Sequence, residues 1–251
     1  MTLLALRDLT VRYQGSDRPA LANVHLEVSA GDRLGIIGES GSGKSTLAQA
    51  VAGILPRNAT VTGSVVWPGL TATPVKGRDV GMVFQDPSSS LNPVLAIGEQ
   101  VAEVAHAHLG FGWREAYRRA EELLDRMSLP DPGRLARAYP HQLSGGQRQR
   151  VAIAAAIAAQ PKLLIADEAT SALDTVVQAE IARLLDDLVR ETGMSLIFIT
   201  HDIALASQLV DRIAVFRDAK LVEVGDTEQL LRHPATPYTR SLIDAHIGID
   251  A

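Results

Sequence analysis

The chain contains no cysteine. That excludes a disulfide frame, a thiolate metal site and a cysteine nucleophile, and it is compatible with a reducing compartment. Excess positive charge is missing too. The formal net charge is −5, so composition offers no argument for a nucleic-acid partner. An anionic ligand would have to be drawn by local groups, not by a global field. Long apolar runs are also lacking. The longest uninterrupted one, Val151 to Ala159, falls far short of the roughly 20 residues that a membrane helix needs. Met1 to Asp8 has neither the basic region nor the apolar core of a signal peptide. No internal repeat or low-complexity segment stands out. The expectation is a soluble protein that would work at a membrane only through another chain. Its 251 residues, 46% of them hydrophobic, suffice for one large domain, or one domain with a subdomain.

What is present is a glycine-rich stretch, Gly38-Glu39-Ser40-Gly41-Ser42-Gly43-Lys44-Ser45-Thr46. Its spacing is that of the P-loop. Arg33 to Ile37 reads as a short buried strand before it, and Leu47 to Ala52 as a helix after it. Three glycines let successive backbone N–H groups turn inward around an anion. The new helix adds its unpaired N–H groups and the positive end of its dipole. Lys44 is expected to reach the β- and γ-phosphates, the Ser45 hydroxyl to hold Mg²⁺, and Thr46 to contact the α-phosphate. Alone, the loop says only that nucleoside triphosphate binds; kinases, GTPases and transport ATPases share it.

Around this loop the chain alternates strands and helices. Residues 3–13 and 21–28 alternate apolar and polar side chains, as half-buried antiparallel strands do. Tyr13 closes the first and reads either as an ordinary strand aromatic or as a ring that stacks on a base. Val61 to Trp67 and Val80 to Phe84 read as further strands, the second followed by Gln85 and a Ser-rich turn, Ser88 to Pro93. From about 94 to 142 the pattern turns helical, with Arg118, Arg119, Glu121, Glu122 and Asp125 on a solvated face. A helix from Arg148 to Ala159 precedes the apolar strand Leu163 to Ala166, which ends in Asp167 and Glu168. A helix through Val177, Ile181, Leu184, Leu185 and Leu188 stops at Gly193, and the strand Ser195 to Thr200 ends at His201. Strands at 212–217 and 220–224 and terminal helices complete the chain. The predicted fold is α/β, a P-loop NTPase core with a mainly parallel sheet, an N-terminal antiparallel β-subdomain and an inserted α-helical subdomain at about 92–145 within one domain spanning 1–251.

Ligands of open parallel sheets collect at the carboxyl ends of strands. Gln85, Asp167, Glu168 and His201 all follow such ends. Phosphoryl transfer assigns them roles: Ser45 and Asp167 as oxygen ligands of Mg²⁺, Glu168 as the base for a water, and His201 and Gln85 as partners of the γ-phosphate or of that water. In chain order, Gly38–Ser45, Gln85, Leu143-Ser144-Gly145-Gly146-Gln147, Leu163–Glu168, Ser171–Asp174 and His201 resemble the Walker A, Q-loop, signature, Walker B, D-loop and switch histidine of ATP-binding-cassette (ABC) transporter ATPases. The resemblance covers nearly the whole chain, and the signature pentapeptide is its most specific part. It implies ATP with Mg²⁺, a base-stacking Tyr13, and nucleotide contacts from Gly38, Ser40, Gly41, Gly43, Lys44, Ser45 and Thr46. It places Gln85 among the Mg²⁺ ligands, and adds Ser144, Gly145, Gly146, Gln147 and Asp174 from the opposite chain of a head-to-tail dimer. Ser144 to Gly146 open a helix, and so form a second phosphate-binding N-terminus. Ala169 departs from the family's usual proline after the Walker B glutamate.

Asp86 to Pro93 and His233 to Arg240 are similar to segments of the peptide/nickel importers, which move dipeptides, oligopeptides, nickel or metallophores. A chain that ends at Ala251 without the cysteine-bearing extension of many peptide members leans toward the nickel or metallophore branch. The resemblance implies a second ATPase chain, two membrane permease subunits, an extracytoplasmic binding protein, no nucleic acid, and a peripheral place on the cytoplasmic face of the membrane. Three other readings stand beside it: a soluble ABC ATPase of translation or DNA repair, an export ATPase, and a nucleotide-binding regulator without turnover.

Overall fold

The structure, a computed structural model, describes residues 1–170 and 173–247. It divides into two compact units. One comprises 1–74 with 189–251, the other 75–188.

The first unit opens with β1 (Thr2–Tyr13) and β2 (Leu21–Ser29), which pair antiparallel. In β2, Leu21, Val24, Leu26 and Val28 are buried while Asn23, His25 and Glu27 face out. That period of two makes it a half-buried strand. β3 (Arg33–Gly38) runs buried along Leu34–Gly38, as a strand covered on both faces does. The loop 39–43 leads to α1 (Lys44–Ala52), which begins three residues earlier than its apolar pattern and ends at Gly53 with φ 68°. β4 (Ala59–Val66) then pairs antiparallel with the other edge of β1. Asp8, at φ 52°, bulges from β1, and register shifts flank it against both neighbours.

In the second unit, β5 (Val80–Val83) is followed by a short helix, α2 (Pro87–Ser90), where the Ser-rich stretch was expected to turn. Proline's fixed φ suits the first position of a helix. α3 (Ile97–Leu109) and α4 (Trp113–Arg126) pack on each other. Ile97, Val101, Ala105, Ala120, Leu123 and Leu124 are buried between them and their neighbours. On α4, Arg118, Glu121, Glu122 and Asp125 are exposed as expected and Arg118 pairs with Glu122 one turn on, whereas the Arg119 side chain is only 21% exposed, because it folds back toward the packed side of the helix. α5 (Pro132–Leu135) and a 3-10 turn at Pro140–Gln142 lead to α6 (Gly145–Ile157). β6 (Leu163–Asp167), wholly buried, lies parallel to β5. α7 (Thr175–Thr192) follows, and Arg150 of α6 holds it by donating to Glu180 at 2.7 Å.

The first unit resumes with β7 (Ser195–Ile199), α8 (Ile203–Leu209), β8 (Arg212–Arg217), β9 (Lys220–Asp226), α9 (Thr227–Arg232) and α10 (Pro237–Ile247). β3 lies between β7 and β8, parallel to both, and β9 closes that edge antiparallel to β8. Ion pairs fasten this sheet: Arg33 at the start of β3 forms a two-point bridge to Asp211 beside β8. Among the described residues, no helix is long and apolar enough to cross a membrane.

Candidate functional site

Each unit carries its own share of the expected residues. In the first, β3 ends at Gly38 with φ 150°, where an added Cβ would lie 2.1 Å from the Phe216 carbonyl oxygen. At Gly43, φ is 103° and a Cβ would lie 2.4 Å from the Ala20 carbonyl oxygen. Only glycine fits both ends of this loop. Gly43 is also the N-cap of α1, and no side chain caps that helix. Helix geometry gives the first N–H groups of such a start no intrahelical acceptor.

Lys44 is 5% exposed. Its Nζ donates to the carbonyl oxygens of Gly38 at 2.8 Å and Glu39 at 2.9 Å. The ammonium is thus folded back across the loop that it is expected to serve. The Ser42 hydroxyl is buried with no hydrogen-bond partner among the described residues. A buried orphan hydroxyl, a glycine cradle and an uncapped helix start are what a loop built for phosphate oxygens presents. Ser40 and Ser45 are exposed beside them. Tyr13 reaches this loop from the end of β1, with its hydroxyl 3.2 Å from Thr46 Oγ1.

His201 follows β7. That strand pairs with β3 so that Ile199 lies opposite Ile36. His201, which is exposed, therefore leaves the sheet at the same edge as the glycine loop. The turn around it is fixed. Asp202 N–H donates to Thr200 Oγ1 at 3.0 Å, and Asp202 Oδ1 accepts from Leu205 N–H at 2.9 Å.

In the second unit, β5 and β6 pair with Val83 opposite Ala166. Gln85, Asp167 and Glu168 therefore follow neighbouring strand ends. Gln85 stands two residues beyond its strand and is exposed, whereas Asp167 is buried. Glu168 takes φ 47°. A non-glycine residue in that region carries about 1–3 kcal/mol of backbone strain, a cost concentrated at working sites.

α6 starts at Ser144, whose Oγ accepts from Gln147 N–H at 3.3 Å while Gln147 Oε1 accepts from Ser144 N–H at 2.9 Å. This reciprocal capping box closes the helix start with its own side chains. Gly146 is small because a Cβ there would lie 3.0 Å from Val177 Cγ1, while Gly145 has more room. Asp174 caps α7 through Oδ1, which accepts from Val177 N–H at 3.0 Å. Ser171 and Ala172 lie outside the described residues.

Glycine loop, Lys44, Tyr13, Thr46 and His201 thus share one unit; Gln85, the two acids, the serine-glycine helix start and Asp174 share the other. The sequence reading gave no role to the orphan hydroxyl of Ser42 or to Tyr238, whose phenol touches the loop. Ser42 sits at a variable position of the motif. Tyr238 belongs to a segment marked only by resemblance.

Residues 21–171 match the family described as ABC transporter. The chain is 40% identical to the oligopeptide transport ATP-binding protein OppD of Haemophilus influenzae, over 99% of this chain and 80% of that protein. It is 44% identical to a putative peptide import ATP-binding protein of Brucella abortus, over 99% of this chain and 78% of that one. It is 36% identical to the metal-staphylopine import system ATP-binding protein CntD of Staphylococcus aureus, over 97% and 93%. Among solved structures, the dimeric post-hydrolysis state of the ATP-binding cassette MJ0796, bound to ADP and Pi, superposes with a TM-score of 0.77 at 31% identity, covering 90% of this chain and 99% of that one. CbiO1 of Clostridium perfringens, part of the transporter complex CbiONQ, gives 0.78 at 28% identity, covering 92% and 91%.

Proposed function

The chain belongs to the ABC transporter family, and we propose that it is the ATP-hydrolysing subunit of an importer whose cargo is a short peptide. The observation that carries this reading is the glycine loop with its folded-back Lys44, orphan Ser42 hydroxyl and uncapped α1. Such a loop receives polyphosphate: Lys44 exchanges two carbonyl partners for phosphate oxygens, and the positive end of the α1 dipole faces the anion.

The remaining roles follow from the chemistry of each group. Gly38, Ser40, Gly41, Gly43 and Thr46 line the phosphates, and the Tyr13 ring stacks on the base. Ser45 and Asp167, with Gln85, offer hard oxygen ligands suited to Mg²⁺. When bound, Mg²⁺ neutralises charge that develops on the phosphate oxygens. Glu168 takes the proton of the attacking water, and His201 with Gln85 orients that water toward the γ-phosphate. Ser144, Gly145, Gly146, Gln147 and Asp174 serve the nucleotide of a second ATPase chain in a head-to-tail dimer. In that arrangement ATP is an interface ligand, and losing its γ-phosphate releases the halves. The helical segment within 92–145 is a subdomain that meets two membrane permeases on the cytoplasmic face, with an extracytoplasmic binding protein delivering cargo.

The peptide reading rests on relatives at 40% and 44% identity that carry oligopeptide or peptide import names. A metal–metallophore complex is the second reading, favoured by the staphylopine-system relative, which this chain spans almost end to end. Uptake of a labelled tripeptide and of a labelled nickel–metallophore complex by cells lacking the chain separates the two. Loss of tripeptide uptake alone is expected; loss of metal uptake alone overturns the peptide reading. Capture of the tagged chain from solubilised membranes is expected to bring permease subunits, and recovery on ribosomes or DNA instead would refute the importer.

A further inference from the structure

The segment His233 to Arg240 carries no role in the reading above, yet it folds against the phosphate loop. Glu223 of β9 accepts from Ala235 N–H at 2.8 Å and from Thr236 N–H at 3.1 Å. Burial raises the Glu223 pKa, but hydrogen bonds from Thr239, Ala235 and Thr236 outweigh it and hold the carboxyl below its usual range. An ionised carboxylate therefore sits at the start of α10, where the helix dipole favours it. Thr236 Oγ1 accepts from Thr239 N–H at 3.1 Å and lies 2.8 Å from Thr239 Oγ1, which fixes the first turn. α10 then packs on α8, and α8 on β3.

This anchoring aims Tyr238. Its ring is buried, and the Arg217 guanidinium stands over it, 4.5 Å from the centroid. Its hydroxyl oxygen accepts a long hydrogen bond from Glu39 N–H at 3.4 Å. Burial chiefly, with the negative charge of the neighbouring Glu39, pushes the Tyr238 pKa above the ordinary tyrosine value, so the phenol stays neutral. Glu39 is the second residue of the loop, and its own carbonyl accepts from Lys44. A carboxylate at this place, left to swing toward the loop's N–H groups, would repel the phosphates that they receive.

We propose that Tyr238 is a positioning residue for nucleotide binding: its phenol tethers the main chain of Glu39 and so keeps that residue's charge out of the phosphate cradle. The inference rests on the reading of residues 38–46 as a phosphate loop. It gives the subfamily-like segment a task within the ATPase chain itself.

Titration of the purified full chain with Mg²⁺ and the slowly hydrolysed analogue ATPγS tests it. Tyr238→Phe removes the hydroxyl and keeps the ring under Arg217. The dissociation constant is expected to rise about two- to ten-fold, the worth of one hydrogen bond, with a melting temperature within about 2 °C of the parent. In a Glu39→Ala background, where no charge needs restraint, the same substitution is expected to cost less. Unchanged affinity in Tyr238→Phe, or an equal penalty in both backgrounds, overturns the proposal. Failure of the unsubstituted chain to bind ATPγS would instead refute the phosphate loop itself.

Discussion

Two helices of this chain begin where a phosphate is expected, and they begin differently. α1 starts at Gly43, in a left-handed conformation with no side-chain cap. α6 starts at Ser144, closed by a reciprocal box with Gln147. A capping serine contributes roughly 1 kcal/mol over an uncapped start, so α1 forgoes stability that α6 keeps. The difference assigns each helix a condition. On the proposed reading, an anion supplies at the start of α1 what no side chain supplies. α6 is closed by its own side chains: Ser144 Oγ accepts from Gln147 N–H, and its own proton is left to donate to a phosphate on the proposed reading. One end is built to hold, the other to be recruited.

The sharpest way to break this comparison is to remove the groups given to chemistry. Lys44→Ala is expected to lower phosphate release from ATP by at least about 100-fold, because a preorganised charge aimed at the phosphates is lost. Glu168→Gln is expected to lower it by about 100- to 10,000-fold, the range for a general base, while ATP affinity stays within about three-fold. Phosphate release no faster from the parent chain than from Glu168→Gln would point to a nucleotide-binding regulator without turnover. Gly43→Ala tests the holding end. Its Cβ would meet the Ala20 carbonyl oxygen at 2.4 Å on a backbone at φ 103°. A loss of about 1–3 kcal/mol, read as a melting point roughly 3–10 °C lower, should accompany lost nucleotide binding.

Ser144→Ala probes the recruited end more gently. It should cost about 1 kcal/mol of stability without nucleotide, leave ATP binding by the chain's own glycine loop within about two-fold, and reduce hydrolysis in the assembled transporter. Equal loss of binding in Gly43→Ala and Ser144→Ala would erase the distinction between the two ends. The smallest effect concerns pH. Hydrogen bonding and ion pairing to Arg33, against burial, hold the Asp211 carboxyl below its usual range. A carboxyl depressed in the folded state stabilises above its unfolded pKa of about 3.9, and that share is lost as pH falls through the folded value. Half of the Asp211 side chain is exposed, which keeps the share small. Thermal melts below about pH 4 should show the decline, and Asp211→Asn should flatten it.

Much of this was readable in the residues. Alternation in Leu21 to Val28 marked β2, and the continuous apolar run of Leu163 to Ala166 marked β6, because side-chain period follows burial. The spacing of Gly38, Gly43 and Lys44 announced the phosphate loop. Other features had no local signal. Pro87–Ser90 coils into helix where serine content suggested a turn. The strained φ of Glu168 and the orphan hydroxyl of Ser42 depend on what surrounds them, not on their neighbours in sequence.

Residue type and spacing by themselves determined the glycine loop, its lysine, the serine cap of α6 and the paired acids that close β6, since each is chemistry within a few residues of chain. Only the tertiary structure decided that Tyr13 ends on Thr46, 33 positions away, and Tyr238 on Glu39, 199 positions away. Such pairs are made by strand order and helix packing, whose geometry no short stretch of sequence contains.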